Sequence, residues 1–431
     1  MALPVLPQIN TLGSIDPHTL VLELPETSKD GLAASLAGTD DLSVARIYAH
    51  EMQHFMDIVG TVWGQDYLDI LFGAYDAVLD GRPPELAYPE LLRLFDADRS
   101  ILFPRYYKYV MPGAPQGTAE NRWSMSLSTG ANIRPDGKMD ETDPLLFVRF
   151  DMGAAHVARQ PLTVGALLEL RAIGAEMGPL ARSFEGLAQD ERIVEERLQT
   201  RELLAMVYDP QLTTYSAGAH VAANALEQAD LTSTLDSGFK VAEVALNLTS
   251  DSFGRLRQPQ GFGDAIGHQR QRGFGARQNR GYAFASLLFH MRGLVHGVVG
   301  EQAMALTLER AGLRSLDELH DAARGYIGAK RANRLSDGRL NGIRERLVDV
   351  GLVVLARRNY DQFSITVPQP EVPGPLVMTG QDLFEFHVRE PILDPADTHF
   401  LVDAYSRVRI ETRQALRAGR GMDFEWSDYI Y

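Results

Sequence analysis

Residues 42–61, LSVARIYAHEMQHFMDIVGT, carry the clearest structural signal in the chain. Their apolar residues recur every three to four positions, the spacing of one face of an α-helix. The pattern predicts a helix from about Leu42 to Val59, and either Asp40 or Asp41 can cap its N-terminus. Apolar residues on both sides of a polar pentapeptide indicate that this helix is not fully exposed to solvent.

That pentapeptide is HEMQH, residues 50–54. Residues four apart lie on one helix face, so His50 and His54 can direct both imidazoles at one metal ion. Glu51 is then held beside the ion without binding it, in position to take a proton from a metal-bound water. Zinc lowers the pKa of such a water to about 7. The motif predicts Zn²⁺ on His50 and His54 with Glu51 as general base; the alternative is an exposed helix with solvated side chains.

A third ligand must come from elsewhere, and it must be His, Glu or Asp because the chain has no cysteine. Glu169 is the leading candidate, since it interrupts the apolar run VGALLEL at 164–170, where an unpaired carboxylate is costly to bury. A metal would remove that cost. The alternatives are an ion pair with Arg171 or Arg149, or plain exposure on a polar helix face.

Three other acids are candidates for a role near the same site. Glu176 and Glu185 are reserve candidates for the third ligand. Asp57, one turn after His54, fits either a hydrogen bond to a ligand or an ordinary surface position. The metzincin pattern would place glycine at position 57 and histidine at 60, whereas this chain has Asp57 and Gly60, which excludes that subfamily.

Amide hydrolysis also needs a donor for the oxyanion of its tetrahedral intermediate. Tyr215 and His220 lie downstream in the stretch YDPQLTTYSAGAH, and each is a candidate for that catalytic role. The alternative for both residues is a place in the packed interior, as an aromatic or a capping side chain.

The predicted fold class is α+β, mostly α. A strand is expected at 18–24 and another at 145–150, among helices that cover most of the chain. We expect a catalytic domain at 1–252 with a small sheet, a Gly/Arg/Gln-rich loop or linker at 253–281, and a helical C-terminal domain at 282–431.

The net charge of −15 argues against nucleic acid as a partner, because that surface must be basic. Six arginines concentrate in the loop segment 255–280, which could hold an acidic peptide, a phosphate or a partner protein. The alternative is a solvated loop that answers the acidic body of its own chain.

The chain shows no basic segment followed by an apolar run at its start and no uninterrupted apolar stretch of about 18 residues. We therefore expect neither a signal peptide nor membrane association. The absence of cysteine fits a reducing compartment, so the expected location is the cytoplasm.

The stretch ARIYAHEMQHFMDIVGT at 45–61, followed by PLTVGALLELRA at 161–172, resembles a group of poorly characterised bacterial HExxH proteins that look like gluzincin zinc peptidases. The resemblance covers about half of the chain, from 45 to 230. It implies a zincin-like catalytic domain with His50, His54 and Glu169 as ligands and Glu51 as base.

The sequence thus predicts a zinc metallopeptidase that cleaves a peptide or protein amide bond. Two alternatives stay open: a metal-dependent enzyme for a non-peptide substrate, and a zincin-like protein that binds a partner without catalysis.

Overall fold

We describe the protein from a computed structural model. The structure describes residues 12–420 with the exception of 39–40, 82, 104, 119, 134–137, 229, 260–267, 295–299, 358–371 and 381–390. Within these limits the chain is mostly helical and has two small sheets, so the α+β, mostly-α prediction is confirmed.

The helices are α1 (Lys29–Leu36), α2 (Leu42–Gly60), α3 (Val62–Leu79), α4 (Pro84–Leu102), α5 (Val164–Ser183), α6 (Gln189–Val207), α7 (Thr213–Leu226), α8 (Leu231–Asn247), α9 (Ser250–Arg255), α10 (His268–Ala276), α11 (Arg280–Met291), α12 (Gly300–Arg310), α13 (Leu316–Ala329), α14 (Gly338–Arg357) and α15 (Pro395–Arg420). The strands are β1 (Ser14–Asp16), β2 (Val21–Leu24), β3 (Tyr109–Val110), β4 (Ser124–Ile133), β5 (Met139–Met152), β6 (Ala155–Pro161) and β7 (Leu376–Thr379).

Helix α2 begins and ends as its sequence predicts. The Asp41 side chain accepts a hydrogen bond from the Ser43 backbone N–H at 2.8 Å, which settles which aspartate caps the helix. At the other end, the Thr61 hydroxyl donates to the Asp57 carbonyl and accepts from the Gly64 N–H, at 2.6 and 3.0 Å. One threonine thereby closes α2 and caps α3.

The corner between α2 and α3 depends on a glycine. A Cβ at Gly64 would lie 2.1 Å from the Ile58 carbonyl oxygen, a distance no side chain can adopt without moving the backbone. The two helices can therefore meet closely only with glycine at this position.

Helix α5 runs through the interior. The Thr163 side chain caps it by accepting from the Ala166 N–H at 3.1 Å, and most of its residues are buried. It packs along α2 in the opposite direction, because Arg46 contacts Glu176 while His54, two turns later, faces Glu169. These two helices carry the residues discussed in the next subsection.

The two sheets are small. One has the order β1-β2-β7 and the other β3-β6-β5-β4. Strand β2 pairs in parallel with β7, Val21 opposite Leu376, so the beginning and the C-terminal part of the chain share a sheet. The main hydrophobic core also extends from Ile15 to Ala415. The segments predicted as separate domains on either side of 253–281 are thus joined by a sheet and a core.

A buried histidine ties β1 and β2 to the helices. The His18 ring faces Asp16 at 3.0 Å and Asp98 at 3.2 Å, and it stacks on Tyr405 of α15. Burial lowers the pKa of His18, but the two carboxylates outweigh it and raise the pKa to about 9. A charged, fully paired imidazole therefore anchors the N-terminal hairpin to α4 and α15.

The Gly/Arg/Gln-rich segment differs from the prediction. It was expected to be one loop, but residues 268–276 form α10 and helix α11 begins at Arg280. Arg270 pairs with Glu141 at 3.1 Å, and Arg277 lies 3.9 Å from Asp143. Acids at the start of β5 thus contact α10 and the residue that follows it, an arrangement that periodicity within the segment alone could not reveal. Residues 260–267 of this segment, which include the triplet GFG at 261–263, lie outside the described residues.

Among the described residues, no helix combines the length and the apolar character that crossing a lipid bilayer requires.

Candidate metal centre

Three predicted ligands converge between α2 and α5. One ligand atom each of His50, His54 and Glu169 lies within 4.8 Å of the others. The two imidazoles come from one face of α2, with ring centroids 4.9 Å apart and planes at 83°. Glu169 approaches from α5, so the group joins two helices. Glu169 lies 115 residues after His54 in the sequence.

The distances between the predicted ligand atoms suit tetrahedral coordination of one metal ion. His50 Nε2 lies 3.4 Å from one Glu169 oxygen and His54 Nε2 lies 3.5 Å from the other. Zinc bonds of about 2.0–2.1 Å at tetrahedral angles place neighbouring ligand atoms about 3.3 Å apart. These contacts are long for direct hydrogen bonds but close to the edge of such a tetrahedron.

The burial of Glu169 makes this geometry meaningful. Its side chain is 0% exposed, and within the described part of the chain neither carboxylate oxygen has a hydrogen-bond partner. The Nδ1 atom of His54 is likewise buried without such a partner. Two buried carboxylate oxygens that face two imidazole nitrogens are a costly arrangement unless a cation lies between them. The donor set His, His, Glu therefore fits a zinc ion.

His50 has a partner behind it. Its Nδ1 atom lies 2.9 Å from a Glu176 oxygen, and the other Glu176 oxygen accepts from Arg46 at 2.9 Å. Arg46 also donates to Gln199 of α6 at 3.2 Å. Glu176, a reserve candidate for the third ligand, instead orients the first imidazole. A signal for this is present in the spacing, since Glu169 and Glu176 are seven residues apart and share one face of α5.

Glu51 lies in the same enclosure and is 7% exposed. Burial raises the pKa of its carboxyl to about 7, while the charge of His50 works in the opposite direction. A Cβ at Gly13 would lie 3.3 Å from Glu51 Cγ, so the chain entering β1 packs directly on this side chain. Glu51 is thus shielded from water on one side and adjacent to the ligand group on the other.

The two histidines differ in charge preference. Burial lowers the pKa of His50, but the nearby carboxylates of Glu169 and Glu176 outweigh it and raise the pKa well above the ordinary value. Burial and the charge of His50 lower the pKa of His54 well below that value. Metal ligation uses neutral imidazole, so a cation and a proton compete for His50.

Tyr215 and His220, the candidates for an oxyanion donor, lie on α7. His220 stacks on Trp123 and contacts Phe150, and its Nε2 lies 3.0 Å from the Val207 carbonyl. Burial lowers its pKa to about 4. Tyr215 is buried at 8% exposure. Neither residue belongs to the group of three ligands, and the surroundings of His220 are those of a packed neutral imidazole.

The remaining candidate acids lie elsewhere. Glu185 is exposed beyond the end of α5. Asp57 is completely buried and pairs with Arg171, so it is neither a surface residue nor a ligand partner. Arg149 pairs with Asp151. The two arginines that could have neutralised Glu169 are therefore engaged with other carboxylates.

The fold and the site define an α-rich α+β protein with a His, His, Glu group on two antiparallel helices. Compared with models of protein families, with curated proteins and with solved structures, the chain gave no match.

The contact between His50 and Glu176 predicts a measurable effect on metal binding. Replacing Glu176 with Ala should weaken zinc binding about 10- to 100-fold, because the imidazole loses the partner that fixes its orientation. Competition titration with a chromophoric chelator measures the constant. Glu185→Ala removes an exposed glutamate and should leave it unchanged; equal constants for both variants and wild type would contradict the assignment.

Proposed function

We propose that this protein is a zinc-dependent hydrolase, and that its substrate is a peptide or protein amide bond. The proposal follows the zincin-like interpretation of the HExxH motif on α2, in which α2 and α5 would supply the metal ligands. The observation that carries it is the fully buried carboxylate of Glu169, whose two oxygens lie 3.4 and 3.5 Å from the Nε2 atoms of His50 and His54.

Charge supports a divalent cation. Glu51, Glu169 and Glu176 surround the site, and Arg46 is the cation that contacts this group among the described residues. A divalent ion would offset the excess of carboxylates in a place that water hardly reaches. The histidine nitrogens favour zinc over magnesium or calcium, which prefer oxygen ligands alone.

Each side chain then has a role. His50, His54 and Glu169 would hold the ion, which supplies Lewis acidity and a water of lowered pKa. Glu51 would accept a proton from that water and later deliver it to the leaving amine. Glu176 would keep the His50 ring in its ligating orientation. Tyr215 and His220 stay candidates for the oxyanion donor only if α7 approaches a bound substrate.

The enclosure of the site favours a second candidate within the same chemistry. His54 is 2% exposed and Glu169 0%, whereas the side chain of His50 is 17% exposed. Access is therefore narrow and passes His50. A small non-peptide substrate enters such a site more easily than a folded protein does. A flexible peptide is intermediate in its ease of entry.

The experiment is metal analysis of the purified chain followed by hydrolysis assays. We expect one zinc per chain, hydrolysis of a mixture of quenched fluorescent peptides, loss of this activity with a chelator and its return with zinc. His54→Ala should abolish zinc binding. A chain that binds no transition metal at neutral pH would refute the proposal, while a zinc-loaded chain inactive on peptides but active on small esters or amides would establish the second candidate.

A non-catalytic partner-binding protein is the remaining alternative. It predicts bound zinc with no turnover on any of these substrates, and partner binding that Glu51→Gln leaves unchanged. Partner binding through the arginine-rich segment is weakened as a proposal by its internal ion pairs, which leave Arg270 and Arg277 engaged with their own chain.

A further inference from the structure

Arg46 lies at the solvent-accessible edge of the candidate metal centre. It precedes His50 by four residues on α2, so the two side chains project from the same helix face. The side chains of Arg46, Glu176 and His50 are 25%, 18% and 17% exposed. Solvent thus reaches these three side chains, whereas that of Glu169 is 0% exposed. A substrate that approaches the centre past His50 meets the same exposed edge.

The guanidinium of Arg46 is close to His50, because one carboxylate contacts both. One oxygen of Glu176 accepts from Arg46 Nη2 at 2.9 Å, and its other oxygen lies 2.9 Å from His50 Nδ1. An extended peptide advances about 3.3–3.6 Å per residue. A peptide bound at the metal would therefore bring to Arg46 a group within about three residues of its scissile bond.

The guanidinium is fixed in position but keeps unused donors. Arg46 Nη1 donates to Gln199 of α6 at 3.2 Å, and the Gln199 amide is itself fixed by donating to Glu195 at 3.0 Å. Each terminal nitrogen of Arg46 has one acceptor among the described residues, although each carries two N–H groups. A guanidinium that is already ordered binds a carboxylate with a smaller loss of entropy, and its planar geometry suits that group.

We infer that Arg46 is a specificity-determining residue that binds a carboxylate of the substrate, either the C-terminal carboxylate of a peptide or an acidic side chain. The inference rests on the proposed hydrolase and names the chemical class of its substrate. Arg46 differs in accessibility from Tyr215 and His220, the other candidates for substrate contact, which are 8% and 3% exposed.

The experiment measures peptide binding by isothermal titration calorimetry to the zinc-loaded full chain carrying Glu51→Gln, in which loss of the proposed base suppresses turnover. The neutral probe is N-acetylated trialanine amide. The charged probes are the same peptide with a free C-terminal carboxylate, and three amidated peptides that each carry one glutamate in place of an alanine. We expect at least one charged probe to bind about 10- to 100-fold more tightly than the neutral one, the gain from a hydrogen bond to a charged group. The probe that gains identifies the source of the carboxylate.

Arg46→Gln in the same background should abolish this preference, so that every probe binds with the affinity of the neutral amide. Arg192→Gln is the matched control, because it removes an exposed arginine of α6 that pairs with Glu196 at 2.7 Å, and it should keep the preference. Arg46→Lys replaces Arg46→Gln if that variant does not fold or hold zinc. Its ammonium lacks the planar pair of donors, so the preference should fall below that of the Arg46 chain.

Two results would overturn the inference. One is equal binding of charged and neutral probes to the chain with Arg46. The other is a carboxylate preference that persists unchanged in the Arg46 variant, which would show that the carboxylate binds elsewhere, such as directly to zinc. Neither result contradicts hydrolysis of neutral peptides by the wild-type chain, so the proposed function would stand. A wild-type chain that takes up no zinc would overturn both.

Discussion

Glu51→Gln should reduce turnover by about 10²- to 10⁴-fold, the range that a general base contributes, and leave the zinc content at one per chain. The amide cannot accept a proton from the metal-bound water, yet it has nearly the same size and fills the same buried position. Glu51 is outside the group formed by His50, His54 and Glu169, so the metal should remain.

The measurement is the initial rate on quenched fluorescent peptides, made beside metal analysis of the same sample. Glu23→Gln is a suitable control, because Glu23 is an exposed residue of the neighbouring strand β2 and should not alter either quantity. Full activity in Glu51→Gln would remove the base from the mechanism. Loss of zinc would show instead that Glu51 contributes to ligation.

The features that could be predicted from the sequence are local ones. Helix α2, an aspartate cap at position 40 or 41, and the shared face of His50 and His54 follow from the spacing within one helix, and the structure selects Asp41 as the cap. Such features depend on residues a few positions apart, so one segment contains all the information needed. The same holds for Thr163, which caps α5 just before the apolar run around Glu169.

The position of Glu169, the predicted ligand on a second helix, was harder to infer. The cost of burying Glu169 singled it out, but three other outcomes were open, because sequence does not show which helices meet. Only the packing of α2 on α5 places Glu169 opposite the imidazoles, Glu176 behind His50, and Arg171 on Asp57 instead of on Glu169.

The role of Asp57 shows the same limit. A helix residue one turn after a ligand can face solvent, the ligand or the interior, and the helix period alone does not decide among them. Glu243, the other carboxylate that pairs with Arg171, lies on α8, far along the chain, and no pattern around Glu243 predicts a buried carboxylate. Contacts of this kind need the tertiary fold.

In the segment 253–281, composition predicts a loop, whereas the structure has helix α10 there. Glycine lowers helix propensity, but the ion pair of Arg270 with Glu141 and the burial of Phe274 supply tertiary contacts that offset it. Likewise, the pairing of β2 with β7 joins chain segments more than 350 residues apart, Val21 with Leu376, and no local pattern predicts this.

Arg171→Met should destabilise the folded protein by about 3–5 kcal/mol, the usual cost of removing one partner from a buried ionic group. Methionine fills most of the space, but the carboxylates of Asp57 and Glu243 then lie buried without their shared cation. The free energy of unfolding from urea titration of the metal-free protein measures the loss.

Two further variants separate charge from packing. Arg344→Met removes another buried arginine, but its partner Asp69 is 20% exposed and is also paired with Lys330, so the loss should be smaller. Adding Asp57→Asn and Glu243→Gln to Arg171→Met should restore much of the stability, because these two buried side chains then no longer carry a charge. A loss within about 1 kcal/mol of wild type would show that the carboxylates of Asp57 and Glu243 are not held as charged groups in the interior.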